Sequence, residues 1–148
     1  MMTCMATTTD TRAEIEALKT EYFRHLDNKM WNELAELFTD DACAAYDDGT
    51  FLLNGRDAII GFLKDALGDE TCHSTHQGEL IDLQVLGNQE VAARWAFKDR
   101  IDYSQAGWQV EGAGTYHDRY IRTTGSDTGG WKIAHTSYER DWETRRRA

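Results

Sequence analysis

The chain has 148 residues, of which 41% are apolar and 28% are charged, and its net charge at pH 7 is −10. A chain of this length forms one ordinary domain that buries roughly 70% of its unfolded surface without a disulfide or a metal. The acidic balance argues against a nucleic acid as partner, because an acidic domain repels a polyanion. No apolar run approaches the ~18 residues that cross a bilayer, and no secretory signal is evident, so we expect no membrane contact.

The three cysteines favour a reducing, cytoplasmic location. Cys4, Cys43 and Cys72 are odd in number, lie far apart and lack C-x-x-C spacing. Cys72 directly precedes His73, which suggests a nucleophile beside its base. Adjacent residues in an extended segment point to opposite faces, however, so a catalytic thiol is not favoured.

The first third of the chain is predicted to be helical. Residues 1–10 are expected to form a disordered leader. Thr11 and Glu14 then fit a capping box, in which both side chains satisfy free backbone donors at a helix start. Apolar residues at helical spacing extend this helix to about Lys29, and a shorter amphipathic segment follows at 31–38.

The rest of the chain contains one more helix and a series of strands. The pattern predicts strands at 42–46 and 51–53, a helix at 56–67, and alternating strands after residue 73 with turns at 87–88, 103–107 and 126–130. Gly112 and Gly114 predict a bend or bulge in the long strand that begins at Trp108. Helices followed by hairpin-linked strands indicate an α+β domain with helices on one face of an antiparallel sheet.

Asp27 lies near the end of the first helix, at the edge of its apolar stripe. A carboxylate there is costly unless a group in the core interacts with it. The candidate partners are His73 and His76 in the segment CHSTHQG. The alternative is structural, with Asp27 forming a salt bridge to Arg24 or Lys29.

Three segments resemble the SnoaL-like domains of the NTF2-like superfamily. They are YFRHLDNKMWNELAELFTDDA, CHSTHQGELIDLQV, and GAGTYHDRYIRT with the later GGWKIAHTSYER. Over residues 11–142 the resemblance implies a cystatin-like cone, in which three N-terminal helices pack on a strongly curved antiparallel sheet around a deep pocket. Residues 143–148, with three consecutive arginines, are expected to form a solvated basic tail.

The resemblance also implies a catalytic site. The family's dehydratases and its dehydrochlorinase carry an aspartate near the end of the first helix and a histidine entering the first long strand, and these positions match Asp27 and His73. Tyr22 matches a tyrosine that the dehydratases carry five residues before the aspartate. The implied roles are His73 as base, with His76 as its support, Asp27 as its orienter and Tyr22 as a hydrogen-bond donor. Several relatives carry an arginine on the last strand where this chain has Thr136.

Aromatic and polar residues on the predicted strands are candidates for the pocket wall. They are Tyr46, His76, Trp95, Phe97, Trp108, Tyr116, Asp118 and His135. Such a wall suits a small cyclic, aromatic or steroid-like ligand. Some have a plainer interpretation: Tyr22 packs in the core, and Asp118 pairs with Arg119 or Arg122.

These residues lead to the hypothesis of a lyase, either a dehydratase or a dehydrohalogenase, or of an isomerase that works by His–Asp proton abstraction. The alternatives are a non-catalytic binding or assembly module and the small subunit of a ring-hydroxylating oxygenase, which shares the fold. No cofactor is expected, and zinc held by Asp27, His73 and His76 is not favoured because strand residues three apart face opposite ways. A homodimer or homotrimer is expected through a polar outer sheet face that carries Arg94, Lys98, Gln109 and Glu111.

Overall fold

In a computed structural model that describes residues 8–123 and 130–147, three helices pack against one six-stranded sheet. The elements are α1 (Thr8–Asp27), α2 (Trp31–Glu36), β1 (Phe38–Tyr46), β2 (Phe51–Asn54), α3 (Arg56–Leu67), β3 (Cys72–Gly87), β4 (Glu90–Tyr103), β5 (Trp108–Arg122) and β6 (Trp131–Arg147). The strand order is β2-β1-β6-β5-β4-β3. Neighbouring strands are antiparallel except β1 and β6, which are parallel. The predicted α+β class is confirmed.

The start of α1 differs from the prediction. Thr11 lies inside the helix rather than at its cap, so the predicted capping box is wrong. Glu14 instead accepts hydrogen bonds from the Arg122 guanidinium at 2.9 Å and from the Trp131 indole at 3.0 Å, which ties α1 to the sheet. Residues 8–10 of the predicted leader belong to α1, and its first seven residues lie outside the described part of the chain.

Lys29 fixes the end of α1 beside β3. Its backbone is left-handed, with φ 57°, and its ammonium group donates to the carbonyl oxygens of Leu67 at 2.9 Å and Cys72 at 2.5 Å. These two carbonyls belong to the last residue of α3 and the first residue of β3. The C-terminal turn of α1, which carries Asp27, is therefore held against the strand that contains both candidate histidines.

Gly114 allows β5 to bend. The register between β5 and β6 shifts between Ala113 and Gly114, which confirms the predicted bulge. A Cβ atom at Gly114 would collide with the carbonyl oxygen of Glu139 and lie 2.9 Å from the ring of Phe97. Only glycine lets the strands approach this closely, and the resulting curvature turns the inner sheet face around a cavity.

The last strand is longer than the sequence pattern indicated. β6 continues to Arg147, which pairs with Trp108 of β5. Residues 143–147 of the expected tail therefore belong to a paired strand, although they are exposed to solvent as expected, and residue 148 lies outside the described chain. Each of these residues finds a ladder partner on the first part of β5, so the segment is ordered by backbone pairing rather than by apolar burial. None of the described helices has the length and apolar character needed to span a membrane.

Candidate active site

A cavity of about 400 Å³ lies between the helices and the inner face of the sheet. The residues predicted from the sequence that the structure places in its wall are Tyr22, Tyr46, His76, Phe97, Trp108 and Tyr116. The aromatic rings contact one another, for example Phe97 and Tyr116 with ring centroids 4.8 Å apart. Aromatic and aliphatic side chains together form most of the wall, which also carries a few polar groups.

Asp27 is the acceptor for three hydrogen bonds from β3. Its Oδ1 atom lies 2.8 Å from the Ser74 hydroxyl and 2.6 Å from Nδ1 of His76, and its Oδ2 atom accepts the backbone N–H of His76 at 2.8 Å. Because a carboxylate accepts here, the proton of the neutral imidazole is assigned to Nδ1, which leaves Nε2 as a free acceptor. The His76 side chain is only 6% exposed and forms part of the cavity wall.

His73 does not pair with Asp27, contrary to the implied arrangement. It is exposed, whereas Ser74 and His76 face α1. Side chains of a strand alternate between its faces, so residues three apart cannot share one face. The geometry therefore corrects the expected pair from Asp27 and His73 to Asp27 and His76. For the same reason the two histidines are not placed to bind one metal ion together with Asp27.

Phe23 packs flat against the imidazole of His76. The two rings are within 6° of parallel, and their centroids are 5.9 Å apart. Gly78 provides the space for this ring, because a Cβ atom there would lie 2.7 Å from Phe23. The imidazole is thus held by Asp27 at its Nδ1 edge and by a phenyl ring on its face.

Asp99 and Arg140 form a buried ion pair in the cavity wall that the sequence reasoning missed. The Arg140 guanidinium donates to both carboxylate oxygens of Asp99, at 3.0 and 2.7 Å. Burial alone would lower the pKa of Arg140, but the hydrogen bonds and charge of Asp99 raise it above its ordinary value. Asp99 also lies 3.9 Å from Nε2 of His76, so the free nitrogen of His76 faces a second carboxylate.

This ion pair spans three strands. Asp99 is on β4 and Arg140 on β6, with β5 between them. Asp99 pairs with Gly112 of β5, and a Cβ atom at Gly112 would collide with the Arg140 guanidinium and lie 3.3 Å from Asp99. The missing side chain at Gly112 therefore gives Arg140 its path to the carboxylate.

A signal for these two residues is present in the sequence. Asp99 continues the inward spacing of Trp95 and Phe97, and Arg140 continues that of Thr136 and Tyr138. A charged side chain on the same strand face as buried residues requires a partner inside the domain, because an unpaired buried charge is costly. The alternation thus marks both residues as candidates, although it does not show that they meet.

Buried tyrosines supply hydrogen-bond donors to the cavity. Burial raises the pKa values of Tyr22, Tyr46 and Tyr116 well above 10, and neighbouring tyrosine hydroxyls add to this effect. These phenols therefore keep their protons at neutral pH. The hydroxyl of Tyr46 is buried beside Tyr22 and makes no well-formed hydrogen bond with any described residue.

Three residues expected in the pocket wall lie elsewhere. Trp95 is buried in the core. Asp118 is also buried and pairs with Lys19 on α1 at 2.8 Å, rather than with a neighbouring arginine. His135 contacts the thiol of Cys43 at 3.1 Å, away from the cavity. All three lie on strands that reach the cavity, but at positions along the strand or on a face that do not line it.

Residues 7–137 match the SnoaL-like domain family. The chain belongs to this family. The resemblance seen in the three sequence segments is thereby confirmed, and the match covers the helices and most of the sheet, but not the cavity residues that follow residue 137 on β6.

Solved structures show how widely this SnoaL-like fold is shared. A scytalone dehydratase candidate from Novosphingobium aromaticivorans superposes with a TM-score of 0.80 at 24% identity, over 90% of this chain and 86% of the other. Hexachlorocyclohexane dehydrochlorinase LinA-type3 from Novosphingobium barchaimii gives 0.78 at 18% identity, over 92% and 90%. ActVI-ORFA from Streptomyces coelicolor gives 0.73 at 16% identity, over 88% and 97%. At these identities the similarity shows a common fold, and the chemistry of this SnoaL-like domain depends on its own residues.

Proposed function

We propose that this SnoaL-like domain is a cofactor-independent lyase or isomerase that removes a proton from a carbon atom of a small cyclic, largely apolar substrate. The observation that carries the proposal is the 2.6 Å contact between Asp27 and Nδ1 of His76, made where His76 forms part of the cavity wall. Histidine is the commonest general base near neutral pH. A carboxylate on its second nitrogen fixes the tautomer and stabilises the imidazolium that forms.

In the proposed elimination, Nε2 of His76 takes a proton from a ring carbon. The C–H bonding electrons form the new C=C bond while a halide leaves the adjacent carbon with its own bonding pair. If the leaving group is a hydroxyl, His76 returns the proton to its oxygen and water departs. In an isomerisation the same proton is delivered to a different carbon. Asp27 and Asp99 both lie near the imidazole and would stabilise its transient positive charge.

The tyrosine hydroxyls supply the second requirement of the reaction. Negative charge develops on a departing group or on a carbonyl oxygen as the proton leaves carbon, and a preorganised donor lowers the barrier by roughly 3 kcal/mol. Tyr46 lines the cavity, with its hydroxyl beside Tyr22. Tyr22 is one turn before Asp27 and lines the same cavity, so it can serve the same oxygen or leaving group.

His76→Ala and His73→Ala form a matched pair of variants that tests the proposal. Both remove a histidine from β3, but only His76 faces the cavity. Suitable probes are hexachlorocyclohexane, followed by chloride release, and cyclic β-hydroxyketones, followed by the absorbance of the conjugated product. We expect H76A to lower kcat at least ~10³-fold and H73A to change it less than about twofold. Equal activity of the two variants, or no turnover of any probe by the unmodified protein, would contradict the proposal.

Asp27→Asn tests the orienting role separately. The amide can donate to Nδ1 and favours the wrong tautomer, so kcat should fall by roughly 10²–10⁴-fold. Nitrogen NMR of the His76 imidazole should show a loss of the Nδ1–H form even without a substrate. Ser74→Ala is the control, because it removes one hydrogen bond from Asp27 but keeps its charge. A D27N spectrum identical to that of the unmodified protein would rule out this role.

A further inference from the structure

The arginine run at 145–147 lies at the mouth of the cavity, although the proposed reaction does not use it. β6 carries these residues along the first part of β5, where Arg147 pairs with Trp108. Arg145 and Trp108 form part of the cavity wall, and the Arg147 guanidinium lies 5.3 Å from the centre of the Trp108 ring. Arg146 instead contacts Gln109 and Glu111, which is consistent with the alternation of strand side chains.

The charges at this rim are not balanced on the β5–β6 side. Arg140 is neutralised by Asp99, and Glu143 lies 2.9 Å from Arg145 and 3.3 Å from Arg140. Arg147 makes no ion pair with any residue between 8 and 123 or between 130 and 147. Arg147 therefore adds a positive charge at this end of β5 and β6 that no ion pair among these residues offsets, in a chain whose net charge is −10.

A carboxylate of the cavity wall lies further back along β6, beside Tyr138. Asp47, in the turn that follows β1, also forms part of the wall. An anionic group would be repelled near Asp47 and attracted to the rim on β5 and β6. The electrostatic potential in the cavity therefore becomes more positive from Asp47 towards Arg145 and Arg147.

We propose that Arg145, Arg147 and Trp108 form a subsite for a carboxylate that is attached to the cyclic body of the ligand. A guanidinium group matches a carboxylate with two parallel N–H donors. Trp108 is 41% exposed and offers an aromatic face to the atoms that connect the carboxylate to the ring. The subsite rests on the proposed function in using the same cavity, and it concerns binding rather than proton transfer.

Equilibrium binding of two matched probes tests this subsite without any turnover. The probes are 2-naphthylacetic acid and its neutral amide, and calorimetry gives their affinities. In the unmodified protein the acid should bind roughly fivefold or more tightly than the amide at low salt, and the preference should shrink as salt is added. Equal binding of the two probes, or no binding of either, would overturn the proposal.

The arginine variants assign the preference to particular side chains. The double variant R145Q/R147Q should bind acid and amide equally, mainly through a loss of affinity for the acid, whereas R145K/R147K should keep part of the preference because its charge is retained. R146Q is the matched control, since Arg146 contacts the outer residues of the same strands, and it should leave the preference intact. If R146Q removes the preference as fully as R145Q/R147Q does, the effect is general surface charge and the subsite is refuted.

The variant H76A separates this proposal from the proposed function. It should lose turnover but keep the preference for the acid, because His76 is not part of the rim. An unmodified protein that turns over neutral cyclic probes but binds acid and amide equally would refute the subsite alone. A protein that prefers the acid but shows no H76A effect would refute the mechanism alone.

Discussion

The ammonium group of Lys19 and the carboxylate of Asp118 lie 2.8 Å apart, with side-chain exposures of 1% and 0%. Asp118 also accepts hydrogen bonds from Tyr120 at 2.6 Å and from Thr136 at 2.7 Å. The Lys19 ammonium is 3.7 Å from the centre of the Tyr116 ring. Burial lowers the pKa of Lys19, and Asp118 opposes this shift. The ion pair thus joins α1 to β5 and β6 directly behind the cavity wall.

Removing Lys19 alone should be more harmful than removing the whole pair. In K19M the Asp118 carboxylate loses its buried counter-ion, and we expect a loss of about 3–5 kcal/mol in the free energy of unfolding. In K19M/D118N no uncompensated buried charge is left, so the loss should be clearly smaller. Urea unfolding of the three proteins makes the comparison, and a double variant less stable than K19M would contradict the ion-pair interpretation.

The buried tyrosines predict a loss of stability at alkaline pH. Burial raises the pKa values of Tyr22, Tyr46, Tyr116 and Tyr120 well above the ordinary value of 10.0. Above pH ~10 the unfolded chain releases these protons and the folded chain retains them, so stability falls by about 1.4 kcal/mol per pH unit for each tyrosine. Lys19 has a lowered pKa, so its deprotonation raises the free energy of unfolding as the pH increases. This is one group against four tyrosines.

The measurement is a pH titration followed by tyrosinate absorbance and by circular dichroism. These tyrosines should leave the free energy of unfolding unchanged up to pH ~10 and lower it above that pH. The buried phenols should ionise only as the circular dichroism signal is lost. Ionisation of all tyrosines near pH 10, with the fold intact, would show that they are open to water.

Gly114 should tolerate no side chain. A Cβ atom there would collide with the carbonyl oxygen of Glu139, which belongs to the paired strand and cannot rotate away. We expect G114A to lower the free energy of unfolding by about 2 kcal/mol or more. G87A is the matched control, because no atom lies within 4 Å of a Cβ at Gly87. Similar melting temperatures for the two variants would contradict the close approach of β5 and β6.

The sequence predicts best the elements whose apolar residues recur at a regular spacing. The helix at 56–67 was predicted with the bounds that the structure shows, because its apolar stripe and the glycines at both ends agree. The capping box at Thr11 is wrong, and residues 143–147 of the expected tail form a paired strand, for a shared reason. Each was inferred from local residue types, whereas the actual conformation depends on pairing with distant residues such as Arg122 and Trp108.

The sequence by itself determined the family, the α+β class, and the position of Asp27 at the edge of an apolar helical stripe. The tertiary structure decided which histidine meets it. The segment CHSTHQG is polar almost throughout, so it carries no apolar alternation to show which of its residues face inward. Only the packing of α1 on β3 decides which residues of this segment face the cavity, and it turns His76 inward and His73 outward. The ion pair of Asp99 and Arg140 was likewise decided in three dimensions, since it crosses an intervening strand at a glycine.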